Sequence, residues 1–183
     1  MASSIVEDIA AFEEQHRYGC LTDLEFAAAV AGVLPVRADD AAGQGLSLVS
    51  SPYHNRADAY WEIGQPDRAL EDFGEAVRLA PADPMLAKIR GRLLHKLGNL
   101  AAALESFDLA VCIAPEDPYH RRARAHCRAE AGELAGAVED FSQPIAVEPE
   151  FAQQYLDRAA VYERLGQASL AEQDRATASR LRG

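Results

Sequence analysis

Four glycines recur in this chain at a fixed interval of 34 residues. An alanine follows each of them five residues later, and an aromatic residue and a proline follow the first three at nine and seventeen residues. Self-similarity at one period, without an insertion, is typical of supersecondary units that stack on one another. The sequence therefore predicts a repeat array. The recurring residues are Gly64, Gly98, Gly132 and Gly166; Ala69, Ala103, Ala137 and Ala171; Phe73, Phe107 and Phe141; and Pro81, Pro115 and Pro149.

Each period contains the signals of two helices and two short turns. Ser51-Pro52, Asp83-Pro84 and Asp117-Pro118 each supply an N-cap residue followed by proline at the first helical position. The recurring glycine suits the left-handed turn that ends a helix. Apolar residues at helical spacing follow every glycine and predict the second helix.

The period, the glycine, the alanine, the aromatic residue and the closing proline resemble the tetratricopeptide repeat over residues 50–182. The resemblance implies an all-α solenoid, a right-handed superhelix of antiparallel helix pairs. Its four units would span residues 50–83, 84–117, 118–151 and 152–183, with the degenerate last unit as a C-terminal cap. It also implies that the first helix of each pair lines a concave groove that holds a peptide or another protein.

The 49 residues before the array do not follow the repeat pattern. Residues 1–34 are predicted to form a helical hairpin, because Ile5, Ile9 and Phe12 share a helical stripe and Thr22 with Glu25 makes a capping box. This hairpin resembles the short module called SHOCT. Residues 35–49 are predicted to be a linker. The whole segment carries eight acidic and two basic residues, so we considered that it competes with a partner for the groove.

An arginine recurs in every unit, and in three units an aspartate follows it sixteen residues later. Ser106 takes the place of the aspartate in the second unit. Because the two positions recur together on the two helices of a pair, we predict structural arginine–aspartate bridges between those helices; the alternative is a basic ladder that faces a partner. The predicted pairs are Arg56 with Asp72, Arg124 with Asp140, and Arg158 with Asp174; Arg90 has Ser106 at the position of its aspartate.

A second set of basic residues lies at helical spacing on the predicted first helices. No acidic residue occurs from Pro84 to Leu104 or from Pro118 to Ala129, although the net charge is −11. The stripe is either an ordinary solvated face or a groove for an anionic partner, with Trp61 as a flat apolar contact. The asparagine that the chaperone-tail clamp of this family needs is absent at the matching position. The candidate groove residues are Lys88, Arg92, His95, Lys96, Arg122, His126 and Trp61.

Pro144 replaces the alanine of the other units in the middle of a predicted second helix. Proline removes one backbone hydrogen bond and crowds the carbonyl of Asp140. We therefore expect a kink or an early break of this helix.

The sequence holds no phosphate-binding loop, zinc motif or nucleophile elbow, so we predict no catalytic residues, no cofactor and no metal. The acidic N-terminal residues, the lack of a long apolar run and three scattered cysteines favour a cytoplasmic protein with reduced thiols.

The leading functional prediction is a noncatalytic adaptor or interaction module whose basic groove binds an acidic or C-terminal segment of another protein. A homo-oligomeric scaffold is the alternative. RNA binding by Lys88, Arg92, Lys96, Arg121 and Arg122 ranks low, because few aromatic residues accompany these side chains and the net charge disfavours nucleic acid.

Overall fold

A computed structural model describes residue 11 and residues 51–183. The predicted N-terminal hairpin and linker lie, apart from residue 11, outside this range. Residues 51–183 form eight α-helices and no strand, which confirms the all-α prediction. The helices are α1 (Ser51–Glu62), α2 (Pro66–Leu79), α3 (Pro84–Lys96), α4 (Leu100–Ile113), α5 (Pro118–Ala131), α6 (Leu134–Val147), α7 (Ala152–Arg164) and α8 (Ala168–Arg182).

The chain divides into two compact units between Arg90 and Gly91, within α3. In the described part of the first unit, α1 packs against α2, and the buried core includes a cluster of Tyr53, Ala76 and Leu86. In the second unit α5 packs against α6, α6 against α7, and α7 against α8. Its core includes Ala125, Ala137, Phe141 and Val161.

The four recurring glycines end the first helix of each pair, as predicted. All four have positive φ, between 73° and 86°, where a side chain would be strained. At Gly132 the amide donates to Ala129 O at 3.2 Å, and the following amide of Glu133 donates to Arg128 O at 2.9 Å. The same two bonds recur at the other three glycines and satisfy carbonyls that the helix end leaves unpaired.

The predicted N-caps are present where the structure describes their side chains. Asp83 Oδ1 accepts a hydrogen bond from Met85 N at 2.9 Å, and Asp117 Oδ1 accepts one from Tyr119 N at 2.8 Å. Each bond satisfies one of the amides that the first helical turn leaves without a partner. These caps fix the start of α3 and α5, the two helices that carry most of the candidate groove residues.

The recurring phenylalanines are the largest buried side chains of the second helices. Phe73, Phe107 and Phe141 are each at most 2% exposed. Gly91 of α3 shows how closely a neighbouring helix approaches, because a Cβ placed there would lie 2.8 Å from the ring of Phe107. An alanine at residue 91 would therefore force the ring to move.

Pro144 does not break its helix. Of the two expected outcomes, the early break was wrong, because α6 continues past Pro144 to Val147, and the kink stays a prediction. Pro144 lies in the last turn, its carbonyl accepts the amide of Glu148 at 2.8 Å, and its ring is fully buried. Proline lacks the N–H that would bond to the preceding turn of the helix. This loss does not end α6, because the ring of Pro144 is packed in the core and only three helical residues follow it.

Candidate functional site

Three arginines reach the second helix of their own pair through two hydrogen bonds each. Arg56 Nε and Nη2 lie 2.6 and 2.5 Å from the carboxylate oxygens of Asp72. The corresponding distances are 2.7 and 2.6 Å from Arg124 to Asp140, and 2.8 Å for both bonds from Arg158 to Asp174. Two parallel N–H···O bonds are the geometry that a planar guanidinium favours with a carboxylate.

Within the compact unit of residues 91–183, Arg124 and Arg158 also reach the second helix of the preceding helix pair. Arg124 Nη1 donates to Asp108 Oδ1 at 2.7 Å, and Arg158 Nη1 donates to Ser142 Oγ at 2.9 Å. Arg124 thus joins α4, α5 and α6, and Arg158 joins α6, α7 and α8. Sequence reasoning missed this third contact, although Asp108 and Ser142 each precede their arginine by sixteen residues.

Asp140 has more arginines close to its carboxylate than Asp72 or Asp174 has. Besides Arg124, Arg128 Nη1 donates to its Oδ2 at 2.9 Å, and Arg121 Nη1 lies 3.9 Å from its Oδ1. Asp140 itself is only 1% exposed. We call Arg121, Arg124, Arg128, Asp108 and Asp140 the arginine–aspartate cluster.

The pKa of Arg124 is raised far above its ordinary value. The hydrogen bonds to Asp140 are the largest cause, burial opposes them, and the bond to Asp108 adds to the rise. Arg124 is therefore charged at every pH at which the protein folds. The cluster places three arginines beside two aspartates, of which Asp140 is buried and Asp108 is exposed.

The other side of α5 has different surroundings. His95 Nε2 of α3 lies 2.9 Å from Glu130 Oε2 of α5, and His126 Nε2 of α5 lies 3.5 Å from Asp157 Oδ2 of α7. These contacts link the successive first helices of the second unit. We call Arg92, His95, Lys96, Arg122 and His126 the first-helix face.

The first-helix face is less uniformly basic than the sequence stripe, because Glu130 and Asp157 lie against its two histidines. Asp157 also accepts a hydrogen bond from Gln153 Nε2 at 2.8 Å. Burial acts to raise the pKa of Asp157, but the hydrogen bonds from His126 and Gln153 and the positive charge of Arg122 outweigh it and lower that pKa. Sequence reasoning did not single out Asp157.

Arg122 is the member of this face with the most distinctive surroundings. Its Cζ lies 5.5 Å from the ring centroid of Tyr119 and 5.4 Å from that of Phe151, both within cation–π range. The two aromatic residues are 50% and 44% exposed. Within residues 51–183 the guanidinium of the half-buried Arg122 donates no hydrogen bond.

The other candidate residues differ in their burial and in the compact unit to which they belong. Arg92 and Lys96 are exposed on α3. Lys88 and Trp61 are half-buried and belong to the first unit. Arg121, considered for RNA binding, donates from Nε to Pro115 O at 3.2 Å and reaches Asp140, so it belongs to the arginine–aspartate cluster.

The described residues offer little for other kinds of site. Within residues 51–183 no three histidine, cysteine or acidic side chains group as metal ligands would. The helices of that range are also too short or too polar to cross a bilayer. Cys127 is buried on α5, and burial, followed by the charges of Glu130 and Glu133, raises the pKa of its thiol to about 11.

Comparison with known proteins agrees with the repeat assignment. The family model for the tetratricopeptide repeat matches residues 54–120. No curated protein sequence matches the chain significantly.

Three solved structures illustrate the shared fold. MamA 41-end from Desulfovibrio magneticus RS-1 is 16% identical with a TM-score of 0.69, over 99% of this chain and 94% of that one. YrrB, described as a TPR protein with an unusual peptide-binding site, is 19% identical with a TM-score of 0.67, over 94% and 80%. The first TPR of Spaghetti (RPAP3), bound to the HSP90 peptide SRMEEVD, is 19% identical with a TM-score of 0.59, over 64% and 93%. Residues 54–120 thus match the tetratricopeptide-repeat model, and the glycine-terminated helix pairs with their recurring buried phenylalanines have the fold of these solved structures.

Proposed function

We propose that this chain is a noncatalytic protein-interaction module whose first-helix face binds an acidic or C-terminal segment of another protein. The observation that carries the proposal is Arg122, whose guanidinium lies against two exposed rings and donates no hydrogen bond within residues 51–183. A scaffold arginine in this fold, such as Arg124, has its N–H groups bound to carboxylates instead. Arg122 is therefore available to a carboxylate from outside the chain.

The charges around the face decide which residues supply the attraction. Glu130 and Asp157 neutralise His95 and His126 when these are protonated, so the histidines add little net charge. The exposed side chains of Arg92 and Lys96, on the same helix as His95, extend the positive region beyond Arg122. Lys88 and Trp61, in the first unit, remain predicted contributors.

Two structural neighbours support a peptide ligand. The repeat domain of Spaghetti is seen with a peptide that contains two glutamates and an aspartate, and YrrB is described by its peptide-binding site. Both share the helix-pair fold at low sequence identity, so they support the mode of binding and not the identity of the partner. A partner held in this mode needs no catalytic group on the protein.

The proposal is tested by fluorescence anisotropy with labelled peptides rich in glutamate and aspartate. We expect Arg92→Glu and Lys96→Glu each to weaken binding, and the affinity of the wild type to fall as salt is added. Arg180→Glu on α8 makes the same charge change at an exposed position away from the face and is the matched control. Equal affinity for peptides in which glutamine and asparagine replace the acids would contradict the proposal.

A homo-oligomeric scaffold is the second candidate. It is favoured by exposed apolar residues beside the turn between α7 and α8, where Leu165 and Leu170 are 37% and 39% exposed. Light scattering at high protein concentration separates the two candidates. A monomer excludes the scaffold, whereas an oligomer that Leu165→Asp dissociates would support it.

A further inference from the structure

The contacts of Arg122 fix more than its charge. A guanidinium that stacks on aromatic rings presents the edge of its plane, with its N–H groups, away from the rings. Tyr119 comes from the first turn of α5 and Phe151 from the residue before α7, so two backbone segments hold the stack in place. Less side-chain entropy is then lost when a ligand binds than with a freely rotating arginine.

The nearby carboxylates are already occupied by other donors. Glu148 lies 3.5 Å from Tyr119 Oη and 3.3 Å from Gln154 Nε2. Asp157 is bonded by Gln153 and lies against His126, and it acts on Arg122 only through its charge. These acids reduce the local positive potential, but neither of them fills the hydrogen-bonding edge of Arg122.

We infer that Tyr119, Arg122 and Phe151 form a subsite for a carboxylate whose neighbour in the partner sequence is an aromatic side chain. The carboxylate would take the open edge of Arg122, and the neighbouring ring would pack on the exposed surface of Tyr119 and Phe151. This inference rests on the proposed function and narrows it. A purely acidic segment would satisfy Arg122 and leave both rings in water.

The test uses labelled acidic peptides that end in Asp-Phe, Asp-Gly or Asn-Phe, each with a free or an amidated C-terminus. We expect the Asp-Phe peptide to bind most tightly. Arg122→Lys should weaken it about tenfold, because lysine keeps the charge and loses the planar pair of donors, an effect the size of one charge-assisted hydrogen bond. Tyr119→Leu and Phe151→Leu should each remove the preference for Asp-Phe over Asp-Gly.

Amidation distinguishes the source of the carboxylate. If amidation of the Asp-Phe peptide abolishes binding, the C-terminal carboxylate is the group that Arg122 binds. If binding is lost only when asparagine replaces the aspartate, the aspartate side chain is that group. Either result supports the subsite. In a contrary outcome, Arg122→Lys and Tyr119→Leu would both bind the Asp-Phe peptide as tightly as the wild type, while Arg92→Glu would bind it more weakly. That result would overturn the subsite and leave the proposed function standing. Failure of the wild type to bind any acidic peptide would overturn both.

Discussion

Arg122 and Arg124 are two residues apart on one helix, yet their surroundings have little in common. Arg124 donates three hydrogen bonds to two carboxylates on the helices before and after it. Arg122 lies against two exposed rings and, within the described part of the chain, bonds to no acceptor. The difference teaches that basic residues in one run on a repeat helix can have unlike surroundings, because positions two residues apart point to nearly opposite sides of the helix.

A second comparison lies within the scaffold. Arg124 and Arg158 occupy the same repeat position, but the third contact of Arg124 is the carboxylate of Asp108 and that of Arg158 is the hydroxyl of Ser142. Asp140 also accepts a hydrogen bond from Arg128, whereas Asp174, within residues 51–183, is bonded only by Arg158. The third repeat is therefore the more strongly charged junction.

The largest effect should come from Asp140→Ala. Removing a buried carboxylate leaves Arg124 and Arg128 with too few partners, and breaking such a pair costs roughly 3 to 5 kcal/mol. We expect the free energy of unfolding, measured with urea, to fall by about that amount. Asp174→Ala is the matched variant and should cost less, because it strands a single arginine; a larger loss there would reverse the comparison of the two repeats.

Arg124→Ala should lower the melting temperature more than Arg158→Ala. Each variant loses a two-bond pair, but only Arg124→Ala also loses a second carboxylate, a difference of about 1 kcal/mol. Differential scanning calorimetry provides both values. Asp108→Asn should remove most of the difference, and unchanged stability of Arg124→Ala would rule out the structural role of the pair.

Arg122→Gln should lower the free energy of unfolding by only about 1 kcal/mol, because it loses two exposed cation–π contacts and, within residues 51–183, no hydrogen bond. Urea unfolding of Arg122→Gln beside Arg124→Ala makes the comparison directly. Destabilisation as large as that of Arg124→Ala would show that Arg122 belongs to the scaffold.

A smaller effect should appear on acidification. The folded state lowers the pKa of Asp157, so its contribution to stability is present above the unfolded pKa and is lost as pH falls through the folded pKa. Asp157→Asn should therefore lower the free energy of unfolding at neutral pH. As the pH falls from neutral to acid, the variant should lose less of that free energy than the wild type does. Parallel pH curves for the two proteins would contradict the assignment.

The smallest effect concerns the thiols. Cys127 is buried with a pKa raised to about 11, whereas Cys112 is exposed. In a Cys20→Ser background, a colourless thiol reagent with a chromogenic product should label one thiol quickly at neutral pH, and Cys112→Ser should remove that phase. Rapid labelling that persists in Cys112→Ser would show that α5 opens more readily than its packing indicates.

The structural features that recur from repeat to repeat could be predicted from the sequence. The glycine turns, the N-caps and the buried phenylalanines recur at one spacing, so each unit corroborates the others. The contacts of Arg124 with Asp108 and of His126 with Asp157 join different repeats, and a period that aligns equivalent positions does not show which of them touch. The expected break at Pro144 was wrong because the cost of proline in an isolated helix ignores the packing of its ring in α6.

The central claim is that the side of α5 that carries Arg122, and not the side that carries Arg124, meets the partner. Hydrogen–deuterium exchange with and without the acidic Asp-Phe peptide tests it most directly. We predict slower exchange in the first turns of α5 and in the segment from Phe151 into α7, with α6 and α8 unchanged. Protection confined to α6 and α8, or no protection at a peptide concentration that saturates binding, would contradict the claim.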